Sequence, residues 1–124
     1  MAAVNRTTQV ENQQQLWDRQ KATNYVEKGD LDALTKILKD VARGEDEQKG
    51  KIDVNLANFW GETLLHEAAS IGKEEVVEFL LNWGADPSIE DTWGRRPIDA
   101  ARIFKQNQAE DILLGGDASF YVKG

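Results

Sequence analysis

The sequence predicts an all-α fold, a short solenoid of stacked helix-turn-helix units, on three observations. The chain repeats itself: NFWGETLLHEAASIGKEEVVEFLLNWGADPSIE starts at Asn58 and DTWGRRPIDAARIFKQNQAEDILL at Asp91, 33 residues later, with Trp-Gly, a turn into a helix and a closing Leu-Leu in both. Apolar residues recur at helical spacing, as Val76, Val77, Leu80 and Leu81 do. Glycines stand where helical patterns stop, at Gly72 and Gly84, because a left-handed residue ends a helix cheaply only without a Cβ. A unit this short cannot bury its apolar stripe alone, so neighbours must stack on it.

The units follow in order. Residues 1–12 are polar, rich in Gln, Asn and Thr, and read as a disordered segment. A first unit spans 13–57. Leu16, Trp17, Ala22 and Val26 begin its long first helix, with Trp17 expected to cover the exposed edge of the stack, and Leu31, Leu34, Ile37, Leu38 and Val41 stripe its second. Aligning Gly29 on Gly72 gives an offset of 43 rather than 33, so this unit holds extra residues. They fall in the charged stretch ARGEDEQKGK at 42–51, read as a solvated loop. The second unit spans 58–90. Gly61 makes a tight turn, Thr63 is placed to cap the next helix, and Glu74 and Glu75 sit in the first turn of the following one, where the helix dipole favours anions. The third spans 91–114, with Gly94 in its turn. The tail at 115–124 places Phe120, Tyr121 and Val122 beyond the last helix, to fold back on it or to extend as a docking strand.

The stretch GETLLHEAASIGKEEVVEFLLNWGADP resembles the ankyrin-repeat family, whose pattern G-x-T-P-L-H-x-A-A-x-x-G-x-x-x-x-V-x-x-L-L-x-x-G-A-D it follows nearly throughout. The likeness extends over roughly residues 18–114 and implies three stacked helix pairs with outward β-hairpin-like finger loops, the first and last units acting as caps. Leu64 replaces the motif's proline. In the third unit Asp99 stands where internal units carry His, and polar Arg102, Lys105 and Gln106 suit an outward face. In the family's pattern His66 fixes the start of its helix through hydrogen bonds.

That role bears on catalysis, because His66 is the only histidine and the chain has no cysteine. No serine, cysteine or second histidine partner for a nucleophile or metal site is recognisable beside it. Glu45, Asp46 and Glu47 lack the spaced oxygens and glycine of a calcium loop. Glu74 with Glu75, and Glu90 with Asp91, are sequence neighbours that point apart, unsuited to paired acid and base work. Gly115-Gly116 lacks the phosphate-cradle pattern. The reading is therefore of a protein that is not an enzyme and takes no metal or cofactor. The formal charge of -7 opposes nucleic acid and acidic membrane surfaces as partners. The lack of cysteine fits a cytoplasmic or nuclear setting.

Function is expected on a surface that holds a protein partner, as an adaptor or inhibitor; the alternative is self-association into a homodimer through the aromatic ledge or the tail. A monomer is the first expectation. The ankyrin resemblance assigns binding to the finger tips and the exposed side of the first helices. Carried over residue by residue, the tips are Phe59, Trp60 and Glu62, then Thr92, Trp93 and Arg95, and the helix positions are Ser70 and Ile71, then Ile103 and Phe104. Trp83 falls at a position the family leaves variable. Trp60 and Trp93 lie one period apart, so stacking brings them within about 10 Å, as one aromatic ledge. The alternative for each tryptophan is packing on the next finger, or, for Trp83, covering a helix end.

Overall fold

A computed structural model describes residues 13–39 and 51–117. The segment 1–12, most of the insertion at 42–51, Val41 and the Phe120-Tyr121-Val122 tail lie outside the described residues. Six helices follow in order: α1 (Gln13–Lys28), α2 (Leu31–Ile37), α3 (Leu64–Ile71), α4 (Glu74–Asn82), α5 (Pro97–Ile103) and α6 (Asn107–Asp117). They pair as α1 with α2, α3 with α4 and α5 with α6, and the pairs stack through α1 on α3, α3 on α5 and α4 on α6. No strand is present among the described residues; one isolated bridge joins Leu38 to Ile52. No described helix is long and apolar enough to cross a membrane.

One continuous core runs through the stack, from Ala22, Val26 and Leu34 of the first pair, through Leu64, Leu65, Val76, Val77 and Leu80, to Ala101, Ala109 and Leu113 of the third. The first and second helices of each pair are joined by the same tight turn. Backbone N–H groups of Asp30, Lys73 and Gln106 reach back five residues to the carbonyls of Tyr25, Ala68 and Ala101, at 2.9, 3.1 and 2.8 Å. That closure needs a left-handed residue just before the donor. Gly29 and Gly72 supply it at φ 73° and 76°, but the third unit uses Lys105 at φ 57°.

The third unit also differs on its outer face. Thirty-three residues on from Ala69 and Val77, both buried, stand Arg102 and Glu110. The Arg102 Nε donates to the Glu110 carboxylate at 2.9 Å, and its Nη1 lies 3.9 Å from Asp99. Where the middle unit offers an apolar seat to its neighbour, the third presents a solvated ion-pair cluster. Such an exposed cluster contributes little stability and keeps the end of the stack polar.

Among the described residues the first unit begins directly with α1, which is about two turns longer than α3 or α5. Trp17 does not cover the edge of the stack as its composition led us to expect. It is 64% exposed, whereas Arg19, two residues later, is 2% exposed. Helical spacing explains the exchange: with Ala22 and Val26 buried, Asp18 and Arg19 share their face and Trp17 is turned away. Arg19 is held by the Leu56 carbonyl at 2.8 Å, the Glu62 carbonyl at 2.8 Å, the Thr23 hydroxyl at 2.6 Å and the Glu67 carboxylate at 3.0 Å. It bolts α1 to the second unit, and its desolvated guanidinium is met by acceptors, one of them a carboxylate.

A non-glycine residue in the left-handed region costs on the order of 1–2 kcal/mol, partly offset because glycine loosens the unfolded chain. Lys105→Gly is therefore expected to stabilise the protein by roughly 0.5–1 kcal/mol, read as a higher urea midpoint at unchanged slope.

Candidate functional site

Two fingers lead into α3 and α5, and they are built alike. The Asn58 side-chain oxygen accepts the Trp60 and Glu62 N–H groups, each at 2.9 Å; thirty-three residues on, the Asp91 carboxylate accepts those of Trp93 and Arg95, also at 2.9 Å. Asx side chains that bind the backbone two and four residues ahead wind such turns tightly. The likeness between the two segments extends upstream: Asp53 accepts from the Asn55 N–H as Asp86 does from that of Ser88.

The fingers lie side by side. The Thr92 N–H donates to the Trp60 carbonyl at 2.9 Å. Gly61 permits this approach, since a Cβ there would stand 2.9 Å from the Thr92 nitrogen and 3.1 Å from the Asp91 Cα. Gly94 has the same left-handed backbone with open space beside it. Trp60 and Trp93 thus sit on neighbouring fingers and are 56% and 59% exposed, and Phe59 is 73% exposed. The Arg95 guanidinium stacks 4.8 Å from the Trp93 ring and pairs with Asp91 at 2.9 Å, stiffening the tip. Burial pushes the Asp91 carboxyl up, but the Arg95 and Trp93 N–H bonds and the Arg95 charge outweigh it and hold the group below the usual range. Glu62 is committed within the fingers: its carboxylate accepts from the Asn58 amide at 3.1 Å and lies 4.0 Å from Arg95.

Beneath the fingers His66 is buried at the start of α3. Its Nδ1 accepts the Thr63 N–H at 3.1 Å, with the Thr63 hydroxyl 2.9 Å away, while the His66 N–H donates to that hydroxyl at 3.3 Å. Since a backbone N–H can only donate, Nε2 carries the ring proton and donates to the Arg95 carbonyl at 2.7 Å. One neutral imidazole thereby caps its own helix and ties the next finger down. In the third unit the Asp99 carboxylate takes the first part of this role, accepting the Arg96 N–H at 2.9 Å, and that bond holds its pKa down.

The remaining expected positions divide. Ile71, Ile103 and Phe104 are exposed at the C-terminal ends of α3 and α5, away from the finger tips. Ser70 is half-buried, and its carbonyl accepts the Gln106 amide at 3.0 Å, beside the Gly72 turn. Trp83 departs from the outward binding role expected of it. It is half-buried against Phe79, ring centroids 5.3 Å apart, and its indole N–H donates to the Lys39 carbonyl at 2.8 Å. With the Lys39 N–H to Ile52 carbonyl bond at 2.8 Å, it clamps the neck of the insertion, and Gly84 (φ 104°) turns the chain away after it. Among the described residues no three His, Asp or Glu side chains cluster as a metal site would need.

The ankyrin repeat family model matches residues 60–92, from the tip of the finger before α3, through α3 and α4, to the start of the finger before α5. The chain is an ankyrin-repeat protein. It is 32% identical over 88 residues to a putative ankyrin repeat protein of Rickettsia bellii, covering 71% of this chain and 50% of that protein. Against human ankyrin repeat and SOCS box protein 5 it is 39% identical over 83 residues, 67% of this chain and 22% of the relative. It is also 37% identical over 62 residues to putative glutaminase 2 of Caenorhabditis elegans, 49% of this chain and 10% of that one. The chain thus spans half or less of the length of these relatives. Ankyrin repeats are in general protein–protein interaction modules.

Burial lowers the His66 pKa below its ordinary 6.5, so the unfolded chain binds the proton more readily than the folded one. The stability His66 contributes is thus complete above pH 6.5 and is lost as pH falls through the depressed folded value; Asp91 and Asp99, both lowered from 3.8, add a second loss at more acid pH. Urea midpoints are expected to fall between about pH 7.5 and 5 in the wild type. His66→Gln, less stable at pH 7.5, should show little of that decline.

Proposed function

We propose that this ankyrin stack is a non-catalytic adaptor or inhibitor that holds a protein partner through its finger tips and the exposed side of its first helices. The observation that carries this reading is the pair of exposed indoles on fingers coupled by the Thr92 to Trp60 backbone bond, with Phe59 beside them. Large aromatics each bury roughly 150–250 Å² when covered, so three such rings supply a large part of the ~800 Å² that one partner loses in a standard interface. The rings stand on stiffened turns, so little conformational entropy is lost when they are covered.

The non-catalytic part rests on His66, which is buried with both ring nitrogens engaged, so the imidazole has no free nitrogen to act as a base. The likeness to the glutaminase falls on a tenth of that protein and transfers no chemistry by itself. A monomer is favoured over end-to-end self-association by the Arg102, Glu110 and Asp99 cluster on the outer face of the third unit.

Trp60→Ala combined with Trp93→Ala is the test. A partner captured from native extract and then titrated against purified protein should bind the double variant several kcal/mol more weakly, as expected of interface tryptophans, while circular dichroism and the urea midpoint stay near wild type. Unchanged affinity would refute the finger face.

A further inference from the structure

The offset of 43 that sets Gly29 level with Gly72 and Trp17 level with Trp60 also sets Thr23 level with His66. His66 ties the next finger down by donating to the Arg95 carbonyl, and that oxygen also accepts the Asp91 N–H at 2.9 Å, the bond that closes the finger before α5. The finger before α3 closes in the same way, with the Asn58 N–H donating to the Glu62 carbonyl at 3.0 Å. Thr23 carries no ring to span the gap to this oxygen; its hydroxyl donates to the Glu67 carboxylate at 2.8 Å. Arg19, one turn earlier on the same face of α1, reaches the Glu62 carbonyl in its place, and its Nη1 donates to the Thr23 hydroxyl.

The guanidinium also does what an imidazole with one ring proton cannot. It takes both legs of the finger at once, the incoming leg at the Leu56 carbonyl through Nε and the outgoing leg at the Glu62 carbonyl through Nη2, each at 2.8 Å. Both donors belong to one rigid plane, so the fork fixes the separation of the two carbonyls and with it the base of the finger. Nη2 meets the Glu67 carboxylate at 3.0 Å, and the same carboxylate oxygen lies 3.4 Å from the Asn58 amide nitrogen. That nitrogen, held by Glu62 as well, leaves the Asn58 side-chain oxygen turned toward the Trp60 and Glu62 N–H groups. The closing bond of this finger thus leads back to Arg19 directly, and its winding bonds lead back through one carboxylate.

We infer that Arg19 is a positioning residue of the finger face: from α1 it holds Phe59 and Trp60 in the pose that a partner meets. It is itself buried and out of a partner's reach. The inference rests on the finger face being the partner-binding surface. A charged donor binds a backbone oxygen about twice as strongly as a neutral one, so the guanidinium dominates the bonds at the base of the finger. Lysine is no substitute, because it keeps the charge beside Glu67 but has a single nitrogen that cannot span the Leu56 and Glu62 carbonyls together.

The experiment compares the full chain with its Arg19→Lys variant by amide hydrogen exchange, read in proton–nitrogen correlation spectra. The Asn58, Trp60 and Glu62 amides are expected to exchange about tenfold faster in the variant. Those of Ala22 and Val26 within α1, and of Trp93 and Arg95 on the other finger, should change by less than about twofold. The partner captured with the wild type, titrated against the purified variant, should bind about tenfold more weakly. In a Phe59→Ala, Trp60→Ala background the same substitution should cost little more, because the rings it positions are gone. Unchanged finger amides, equal acceleration in α1 and both fingers, or a fully additive loss of affinity in that background overturns the inference. Should Arg19→Lys fail to fold, Thr23→Val removes one acceptor of the fork and one donor to Glu67 while Arg19 stays, and the same amides decide by the same outcomes. If the finger amides respond while Trp60→Ala with Trp93→Ala leaves capture unchanged, the binding face falls and the hold of Arg19 on the finger stands; unresponsive amides sink that hold whatever the partner does.

Discussion

The close contact between the fingers that lead into α3 and α5 sets the geometry of this molecule's surface. A single backbone hydrogen bond, the Trp60 carbonyl accepting the Thr92 N–H, joins turns whose sequences are otherwise separate, and Gly61 leaves the space that the bond requires. Two further carbonyls in the same region are claimed from behind. Arg95 offers its own to the His66 imidazole, and Glu62 offers its to Arg19. Each finger is therefore gripped by the unit before it, and each grip ends on a backbone oxygen rather than on a side chain. Backbone acceptors hold their place more firmly than side chains do, since they have no rotamers to lose, so the exposed rings of Trp60 and Trp93 are presented at a fixed separation.

The first and third units meet the ends of the stack differently. The first begins, among the described residues, with a longer α1; the cost of desolvating Arg19 is offset by the Leu56 and Glu62 carbonyls, Thr23 and the Glu67 carboxylate. The third keeps its finger but converts its outward seat from alanine and valine to arginine and glutamate, and accepts a lysine in a left-handed turn where the other units use glycine. Both ends spend stability on polar groups, and the apolar rings are left along the finger side.

Much of the fold was legible because it obeys a period. The offset of 33, the helix-stopping glycines and the Thr63 to His66 spacing each describe a local event repeated at a fixed distance, and local events leave marks in sequence. The burial of Arg19 left no such mark. Its acceptors include two backbone carbonyls, to which any residue contributes equally, so nothing in the composition of the Gln-rich stretch around it distinguishes it from a solvated arginine. Trp17 was misjudged for a related reason: hydrophobicity argued for burial, while helical phase, fixed by Ala22 and Val26, turned it outward. The offset of 43 that aligns Gly29 with Gly72 was sufficient to pair Trp17 with Trp60. Trp83 was ambiguous because its indole acceptor, Lys39, lies across the insertion and 44 residues away.

The contact between fingers is tested most directly by comparing Gly61→Ala with Gly94→Ala. The two glycines share a left-handed backbone, so both variants lose the same conformational freedom, but only at Gly61 would the new Cβ meet the Asp91–Thr92 backbone. If finger contact sets the register, Gly94→Ala loses about 1 kcal/mol in urea unfolding and Gly61→Ala loses more by at least about another 1 kcal/mol. Equal losses at the two positions would contradict it.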